Sequence, residues 1–464
     1  MIDIQEIDGV KLDHDNAEFI KALDLAVNTN ESFFLTGKAG TGKTTFLKYL
    51  RKVSKKEMIV LAPTGVAAIN AGGQTIHSFF QIPPSIYAPD DPRLSTDIST
   101  YNDGETDTLT SIYENFRYSH EKKKIIRELE LLIIDEVSMV RCDLMDVVDK
   151  LLRAFRDDEL SPFGGVQVIF IGDVFQLPPV VTTEEAKILF RFYKSEFFFS
   201  SRVVKSMPLR YVEMQKIYRQ SDRGFIDLLN RVRENKMLMS DFQFFKSILR
   251  PSFRPSENER YITLATTNAT VDCINEEKLE ELWSSEEMYE AEVTGDFSEK
   301  DYPTDAELRL KPGAQVMFLK NDRDRRYFNG KIGTVSRMDE DEIFVSVDYD
   351  DDLPEDIPIK REEWKNVRYK WNPEKKRIEE EVIGTFKQFP LRLAWAITVH
   401  KSQGLTFEKV IADIGDSFSA GQAYVALSRC TSLGGLVLTS MLTPSSIKTD
   451  PRVLKFTEYI KSRQ

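Results

Sequence analysis

The chain has few cysteines and histidines and lacks long apolar runs, which excludes several protein classes. Its three cysteines are scattered and cannot form a disulfide framework, and its four histidines show no spacing that would hold zinc. No run approaches the roughly 18 consecutive apolar residues that a membrane-spanning helix needs. The N-terminal residues are acidic and do not resemble a secretory signal. We therefore expect a cytoplasmic protein that does not bind membranes.

The chain also lacks a broad excess of positive charge. Its formal net charge is -12, which is unusual for a protein that binds nucleic acid. Ten of its acids lie in residues 339–359, a run without Lys or Arg, so the rest of the chain carries only about -2. This distribution argues against a broad basic face. It is compatible with a nucleic-acid groove lined by backbone amides, hydroxyls and a few cations.

Short apolar runs alternate with helical patterns along much of the sequence. Residues 32–36, 58–62, 131–134 and 168–171 are continuous apolar runs, which suit the buried strands of a parallel sheet. A second pattern of this kind begins near residue 207. The length of 464 residues also predicts more than one domain. The expected fold class is therefore α/β, with doubly wound parallel sheets.

Two segments break this alternation. Residues 81–108 are rich in Pro, Asp, Ser and Thr, and we predict a long surface excursion there. Residues 284–386 contain short β-like runs divided by Asn329-Gly330, by acidic turns and by a turn at Trp371-Asn372-Pro373. We interpret them as a small β-barrel inserted into the second α/β domain.

A glycine-rich segment follows the first apolar run. The sequence Gly37-Lys-Ala-Gly-Thr-Gly42-Lys43-Thr44 fits the Walker A pattern, in which backbone N–H groups turn inward around phosphates. Lys43 would neutralise the β and γ charge, and the Thr44 hydroxyl would ligate Mg²⁺. The alternative is a glycine turn without a function, but a strand precedes this segment and a helix follows it, as phosphate binding requires.

Two further apolar strands end in polar residues. The run 131–134 leads into Asp135 and Glu136, a Walker B arrangement in which Asp135 would hold Mg²⁺ and Glu136 would activate the attacking water. Gln176 follows the next strand and would sense the state of the nucleotide. The alternatives are a strand that exits into solvent with charged residues, and a turn glutamine.

The second half of the chain adds cations and hydroxyls. Arg219 and Arg429 are candidate arginine fingers, for which a surface salt bridge is the alternative. Residues 62–65, 74–80 and 398–404 carry hydroxyl, His and Lys side chains suited to phosphate and sugar contacts, for which ordinary capped loops are the alternative. We expect Phe197, Phe198 and Phe199 to belong to the core.

In their order along the chain, these segments resemble those of the petite-integration-frequency (Pif-type) DNA helicases, a RecD-related branch of helicase superfamily one. The resemblance spans nearly the whole chain and rests on residues 37–45, 62–67, 74–80, 134–140, 142–157, 170–179, 217–220, 266–268, 396–404 and 425–430. Residues 310–317 and 329–335 resemble the SH3-like barrel inserted in this family.

The resemblance implies two RecA-like P-loop NTPase domains with parallel sheets. The first would comprise residues 1–62 and 110–200, with a wedge-like insertion at 63–109. The second would comprise residues 201–283 and 387–464, with the SH3-like β-barrel inserted at 284–386.

The resemblance also implies the site residues. Catalysis would fall to Lys43, Glu136, Gln176, Arg219 and Arg429. ATP and Mg²⁺ would be held by Asn16, Gly37, Ala39, Gly40, Thr41, Gly42, Lys43, Thr44, Thr45, Asp135 and Gly404, with Thr44 and Asp135 as the metal ligands. Nucleic acid would contact Thr64, Gly65, Thr75, His77, Phe79, Asn268, Thr398, His400 and Lys401. Helicases of this kind often have a glutamine that reads adenine where this chain has Asn16.

The implied activity is ATP-driven 5′ to 3′ translocation on single-stranded DNA, with unwinding of duplexes, forks and G-quadruplexes in replication, repair, recombination or telomere maintenance. The expected partners are single-stranded DNA and its junctions with duplex, and the protein is expected to be a monomer that associates on DNA. Three alternatives remain. They are an ATP-gated DNA clamp, a P-loop GTPase or small-molecule kinase, and a RecD-like subunit of a nuclease complex. The sequence has no Asn-Lys-x-Asp base reader for GTP.

Overall fold

A computed structural model describes residues 15–102, 106–256, 259–322, 324, 326–349 and 352–463, together with 6–7, 10–11 and 13. Most of the first residues of the predicted first domain, and residues 350–351 of the acidic run, lie outside the described residues. No helix within the described ranges is both long enough and apolar enough to cross a membrane.

The described strands are, in chain order, β1 (Glu6–Ile7), β2 (Val10–Lys11), β3 (Phe33–Gly37), β4 (Met58–Ala62), β5 (Gln74–Thr75), β6 (Ser99–Asn102), β7 (Asp107–Thr110), β8 (Leu131–Ile134), β9 (Gln167–Ile171), β10 (Arg210–Met214), β11 (Ile262–Ala265), β12 (Glu287–Glu290), β13 (Glu292–Gly295), β14 (Glu307–Leu310), β15 (Gln315–Phe318), β16 (Ile332–Met338), β17 (Ile343–Tyr349), β18 (Asp352–Ile359), β19 (Glu362–Asn372), β20 (Arg377–Gln388), β21 (Leu391–Leu393), β22 (Ala396–Thr398), β23 (Val410–Asp413) and β24 (Leu436–Leu438).

The described α-helices are α1 (Ala17–Asn28), α2 (Lys43–Val53), α3 (Gly65–Ala71), α4 (Ile76–Phe80), α5 (Ile112–Asn115), α6 (His120–Glu128), α7 (Cys142–Arg156), α8 (Thr183–Leu189), α9 (Arg202–Ser206), α10 (Arg223–Arg233), α11 (Met239–Ser247), α12 (Asn268–Glu280), α13 (Gln422–Leu427) and α14 (Pro451–Ser462).

The first sheet is parallel and has the strand order β10-β3-β9-β8-β4-β5. Its central strands are the continuous apolar runs predicted to be buried. Along β8, Leu131 and Ile133 belong to one hydrophobic cluster, whereas Leu132 and Ile134 belong to another. The two faces of the sheet are therefore both covered, as the doubly wound α/β prediction requires. Phe197, Phe198 and Phe199 are buried, which confirms their place in the core.

A second parallel sheet has the strand order β22-β11-β23-β24. Its four strands come from the two segments predicted to form the second α/β domain. In each sheet the carboxyl ends of the parallel strands lie along one edge. This is the edge at which ligands bind in this class of fold.

Two predicted domain boundaries are wrong. Strand β10 was assigned to the second domain, which was expected to start at residue 201, but it pairs with β3 at the edge of the first sheet. Strand β5 was assigned to the wedge-like insertion at 63–109, but it pairs with β4 of the same sheet. The reason is that an apolar run indicates a strand but does not identify the partner with which that strand forms hydrogen bonds.

Residues 81–98 of the predicted excursion are largely irregular and lead into the antiparallel strand pair β6–β7, and residues 103–105 lie outside the described residues. Leu109, on strand β7, and Ile98, directly before strand β6, are both exposed. A role as a wedge stays a prediction.

The predicted insertion contains a five-stranded antiparallel sheet with the order β18-β17-β16-β15-β21 and a core of its own. Its last strand, β21, lies beyond the predicted end at residue 386. Strands β19 and β20 were expected to belong to the barrel, but they pair with each other and with β13 in a separate sheet. They form a long hairpin, which we call the β-arm (362–388). The predicted turn after Asn372 lies at its tip.

Candidate nucleotide and nucleic-acid site

The Walker A segment forms the turn between β3 and α2. Gly40 and Gly42 have φ angles of 78° and 88°, a left-handed backbone that favours glycine. A Cβ on Gly40 would lie 2.4 Å from Cβ of Arg219, so this glycine also lets the segment 217–220 approach closely. The backbone N–H of Tyr218 donates to the carbonyl of Gly40 at 2.8 Å.

The turn is folded around the side chain of Lys43. The Nζ of Lys43 donates to the carbonyls of Gly37 at 2.7 Å and Lys38 at 3.1 Å, and Thr41 Oγ1 donates to the same Lys38 carbonyl. Burial lowers the pKa of Lys43, while the carboxylates of Asp173 and Glu136 oppose that shift. The ammonium is therefore held at the centre of the turn and faces acidic groups. Thr44 and Thr45 follow it in the first turn of α2, and Thr44 is exposed.

The acidic pair stands at the end of β8. Burial, together with the charge of the neighbouring Glu136, raises the pKa of Asp135 to about 7. Burial also raises the pKa of Glu136, against the opposing charges of Lys43 and Arg429. Glu136 has φ 49° and ψ 42°, a left-handed backbone that is uncommon for a residue with a Cβ. Such strain is typical of functional positions.

The donor set fits Mg²⁺. The Asp135 carboxylate and the Thr44 hydroxyl are hard oxygen ligands of the kind that Mg²⁺ prefers. Among the described residues, no group of three or more His, Cys, Asp and Glu side chains could hold a metal. A cation at this position would therefore take its other ligands from phosphate and water, as Mg²⁺ commonly does.

Gln176 follows β9 and is buried, and it is joined to Glu136 by a residue that was not predicted. The Nε2 of Gln403 donates to Glu136 Oε2 at 2.9 Å and to Gln176 Oε1 at 3.1 Å. Gln403 belongs to a loop of the second sheet. In the sequence, the only indication that Gln403 belongs to the site is its position between Lys401 and Gly404, which are both predicted site residues.

The two predicted arginines are not surface salt bridges. Burial lowers the pKa of Arg219 to about 9 and that of Arg429 to about 10. Arg219 donates to the carbonyls of Ser428 at 3.2 Å and Gly404 at 3.4 Å. Arg429 Nε donates to the carbonyl of Val425 at 2.9 Å. Both guanidinium groups are thus held by carbonyls of the second α/β unit, close to the Walker segments.

Asn16, which the resemblance places at the adenine, bonds to two groups of the protein itself. Its Oδ1 accepts from Phe19 N at 3.0 Å and caps α1, while its Nδ2 donates to the Tyr218 hydroxyl at 3.1 Å. Both ends of the amide are therefore used within the protein, because a short side chain at a helix N-cap bonds its own helix. Tyr218 is 51% exposed, and a Cβ on Gly42 would lie 3.8 Å from its ring. This aromatic face beside the Walker A turn was missed in the sequence.

A second unpredicted network joins the two sheets. Arg233 and Asp173 form a buried ion pair at 2.8 Å. The Tyr424 hydroxyl donates to Asp173 Oδ2 at 3.4 Å and accepts from the N–H of Ala39 at 3.2 Å. A residue of α13 thus bonds directly to the Walker A backbone.

The predicted nucleic-acid residues divide into exposed and covered groups. Thr64, Asn268 and Lys401 are exposed. Three threonine hydroxyls are helix or turn caps: Thr64 accepts from Ala67 N, Thr75 from Ser78 N, and the buried Thr398 from Lys401 N. His77 Nδ1 lies 2.9 Å from the carbonyl of Ile82. Burial lowers the pKa of His400.

Two of these residues are covered by the insertion. Phe79 is 1% exposed and packs edge-on against Phe80 and Tyr369, so the prediction that it contacts nucleic acid is wrong. Its aromatic ring serves the core because α4 turns it toward the β-arm. At Gly65, a Cβ would lie 1.8 Å from Oδ1 of Asp301, which shows that this carboxylate rests against the start of α3.

The fold and this site define a P-loop NTPase with two RecA-like domains. The sequence profile described as "PIF1-like helicase" matches residues 11–100 and 97–242. The ATP-dependent DNA helicase Pif1 of Bdellovibrio bacteriovorus is 33% identical over 447 residues, which cover 95% of this chain and 90% of that protein. The human ATP-dependent DNA helicase PIF1 is 32% identical over 440 residues, which cover 93% of this chain and 62% of that protein. The chain belongs to the PIF1-like helicase family.

Solved structures agree with this assignment. A Bacteroides Pif1 in complex with ADP-AlF4 superposes with a TM-score of 0.85 at 39% identity, covering 96% of this chain and 97% of the other. A Bacteroides Pif1 bound to single-stranded DNA superposes with a TM-score of 0.64 at 39% identity, with the same coverage. The predicted family and the two RecA-like domains are confirmed.

Proposed function

We propose that this chain is an ATP-dependent DNA helicase that translocates 5′ to 3′ on single-stranded DNA. The observation that carries this proposal is that the second α/β unit bonds directly to the nucleotide-binding turn and to the acidic pair of the first. Tyr424 bonds to Ala39, and Gln403 bonds to Glu136. A nucleotide in this cleft contacts both units, so its hydrolysis changes their relative position.

Each site residue has a role in this proposal. The Walker A amides and Lys43 bind the phosphates, and Glu136 accepts a proton from the attacking water. Thr44 and Asp135 would hold Mg²⁺, which would neutralise charge at the phosphates when bound. Gln176 reports the presence of the γ-phosphate. Arg219 and Arg429 stabilise the developing charge once they turn from their carbonyl partners toward the nucleotide.

We assign the base to the face of Tyr218. Its ring lies beside Gly42 of the Walker A turn, and about half of its surface is exposed. Asn16 fixes the orientation of the ring through the hydroxyl. The ring would bind the base by stacking. Stacking accepts any base and does not require a side-chain amide that recognises adenine.

The strand of DNA passes over both units. Thr64, Asn268 and Lys401 offer exposed polar groups on the two sheets. The β6–β7 strand pair, with Ile98 and Leu109 exposed, is the element we assign to splitting a duplex at a junction. Forks and G-quadruplexes are the expected substrates, a monomer that associates on DNA is the expected assembly, and replication, repair and recombination are the expected settings.

ATP hydrolysis measured with and without a single-stranded oligonucleotide tests this proposal. We expect strong stimulation by the oligonucleotide in the wild type. Lys43→Ala and Glu136→Gln should abolish hydrolysis, and Glu136→Gln should still bind ATP. Hydrolysis that is indifferent to DNA would reject the proposal, and it would favour a P-loop kinase or GTPase.

A further inference from the structure

The side-chain amide of Gln403, in the loop that follows β22, links the proposed general base Glu136 to the proposed γ-phosphate sensor Gln176. We propose that Gln403 is a positioning residue that restrains hydrolysis until DNA binds, because its side-chain nitrogen stands where the attacking water must stand. This inference rests on the proposed function, since it assigns a regulator to the same cleft.

The geometry gives Gln403 both partners that the water needs. Its Nε2 lies 2.9 Å from Glu136 Oε2 and 3.1 Å from Gln176 Oε1. An attacking water must donate one hydrogen to the base and be oriented by a second polar group near the γ-phosphate. An amide NH₂ has two donors with the same reach as a water molecule. The amide and the water therefore compete for one position.

Withdrawal of Gln403 would open the position between Glu136 and Gln176 for water, because its amide is the group that now bonds to both of them.

The backbone connects Gln403 to the proposed DNA-binding residues. Within the turn that follows β22, Ser402 N donates to the carbonyl of Thr398 at 2.9 Å, and Gln403 N donates to the carbonyl of His400 at 3.2 Å. Lys401 is exposed at the outside of this turn. Because successive residues of the turn are bonded to one another, a strand that draws His400 and Lys401 outward also moves Gln403.

The same turn holds the arginines. Arg219 donates to the carbonyl of Gly404 at 3.4 Å, and Arg429 Nη1 donates to that of Leu405 at 3.4 Å. Movement of the turn therefore releases these guanidinium groups while it withdraws the amide. The two changes together would couple DNA contact to hydrolysis.

The test is steady-state ATP hydrolysis by the full chain, with no DNA and with saturating oligo-dT. Gln403→Met removes the amide donors at nearly constant volume, and Gln403→Ala removes the side chain. Gln243→Met, on the exposed face of α11, is the matched control. We expect the DNA-free kcat to rise on the order of tenfold in both Gln403 variants, as for the loss of one charge-assisted hydrogen bond. The DNA-saturated kcat should stay within about twofold, so the stimulation by DNA falls.

A fall of both rates by the same factor would overturn the proposal, since Gln403 would then support catalysis. Unchanged rates in both variants would overturn it as well. A second readout is the affinity for ADP-aluminium fluoride without DNA, which should increase in Gln403→Met and not in Gln243→Met. Failure of this inference is distinct from failure of the proposed function. If the wild type is stimulated by DNA and the variants behave like it, only the role of Gln403 is lost.

Discussion

The hydroxyl of Tyr369, on the β-arm, is bonded to both backbone groups of Val60 in the first sheet. It accepts from the N–H of Val60 at 3.0 Å and donates to its carbonyl at 3.2 Å. Strand β5 pairs with only the last two residues of β4, so Val60 stands at an unpaired stretch of sheet edge. The side chain of Tyr369 supplies the hydrogen bonds that a longer strand would otherwise make.

Removal of this hydroxyl should loosen the edge of the first sheet. Tyr369→Phe leaves the N–H and carbonyl of Val60 without this partner, at an expected cost of about 1–3 kcal/mol. Hydrogen exchange of the Val60 amide should accelerate by at least about tenfold. Tyr459→Phe, an exposed tyrosine on α14, is the control. Unchanged exchange at Val60 in a folded Tyr369→Phe protein would contradict this account of the contact.

The negative charge of the Asp301 carboxylate should weaken the binding of DNA at the start of α3. The insertion also packs against this helix through Ile69, which contacts the cluster of Phe297, Trp364 and Phe386. Burial raises the pKa of Asp301, so its charge is costly where it lies. We expect Asp301→Asn to strengthen single-stranded DNA binding by about two- to fivefold at low salt.

Glu340→Gln removes the same charge from an exposed turn of the insertion and is the matched control for Asp301→Asn. Fluorescence anisotropy with a labelled oligonucleotide measures both variants. An equal gain in both would assign the effect to net charge, and it would contradict a local role for Asp301.

Nucleotide binding with Mg²⁺ should weaken as the pH falls below neutrality. Burial and Glu136 hold the pKa of Asp135 at about 7, so the carboxyl is protonated below that pH and cannot ligate the metal. The sign follows from competition, because the metal binds the carboxylate and releases its proton. Affinity for Mg²⁺-ADP should therefore drop by roughly tenfold per pH unit below 7.

Two measurements check this pH dependence. Binding of ADP in EDTA should be nearly constant between pH 6 and pH 8, and Asp135→Asn should lose the dependence seen with Mg²⁺. The unliganded protein should show the reverse effect on stability. A raised carboxyl pKa in the folded state means that the free energy of unfolding decreases as the pH rises from about 4 through 7. A flat profile for Mg²⁺-ADP in the wild type would contradict the assignment of Asp135.

The aromatic face of Tyr218 should contribute to nucleotide affinity. Tyr218→Ala removes the stacking surface, and we expect ADP affinity to fall by roughly tenfold. Tyr218→Phe keeps the ring but loses the hydrogen bond from Asn16, so its affinity should stay within about threefold of the wild type. Calorimetric titration of ADP measures both. If Tyr218→Ala binds ADP like the wild type, the base lies elsewhere.

The sequence predicted the positions of residues at strand ends better than it predicted the pairing of the strands. The Walker A turn, Asp135, Glu136 and Gln176 lie where strand ends meet, because local apolar runs and glycines define such turns. Strand β10 was recognised as a strand, yet it was placed in the wrong sheet. Its partner β3 lies far away in the chain, and periodicity carries no information about that pairing.

The residues that the sequence missed act through contacts between the two units. Gln403, Tyr424 and the Asp173–Arg233 pair have no local pattern that separates them from ordinary loop and helix residues. Phe79 illustrates the opposite error. It adjoins residues suited to DNA contact, and only packing against Tyr369 of the β-arm shows that it is buried.

The most direct test of the central claim is strand displacement from a labelled duplex that carries a single-stranded tail at either the 5′ or the 3′ end, with ATP and Mg²⁺. The account predicts that the chain unwinds the duplex with the 5′ tail and leaves the duplex with the 3′ tail intact, and that the Lys43→Ala variant unwinds neither duplex. Unwinding from the 3′ tail alone would contradict the direction of travel. DNA-stimulated ATP hydrolysis without any strand displacement would contradict the helicase and leave an ATP-gated clamp on DNA.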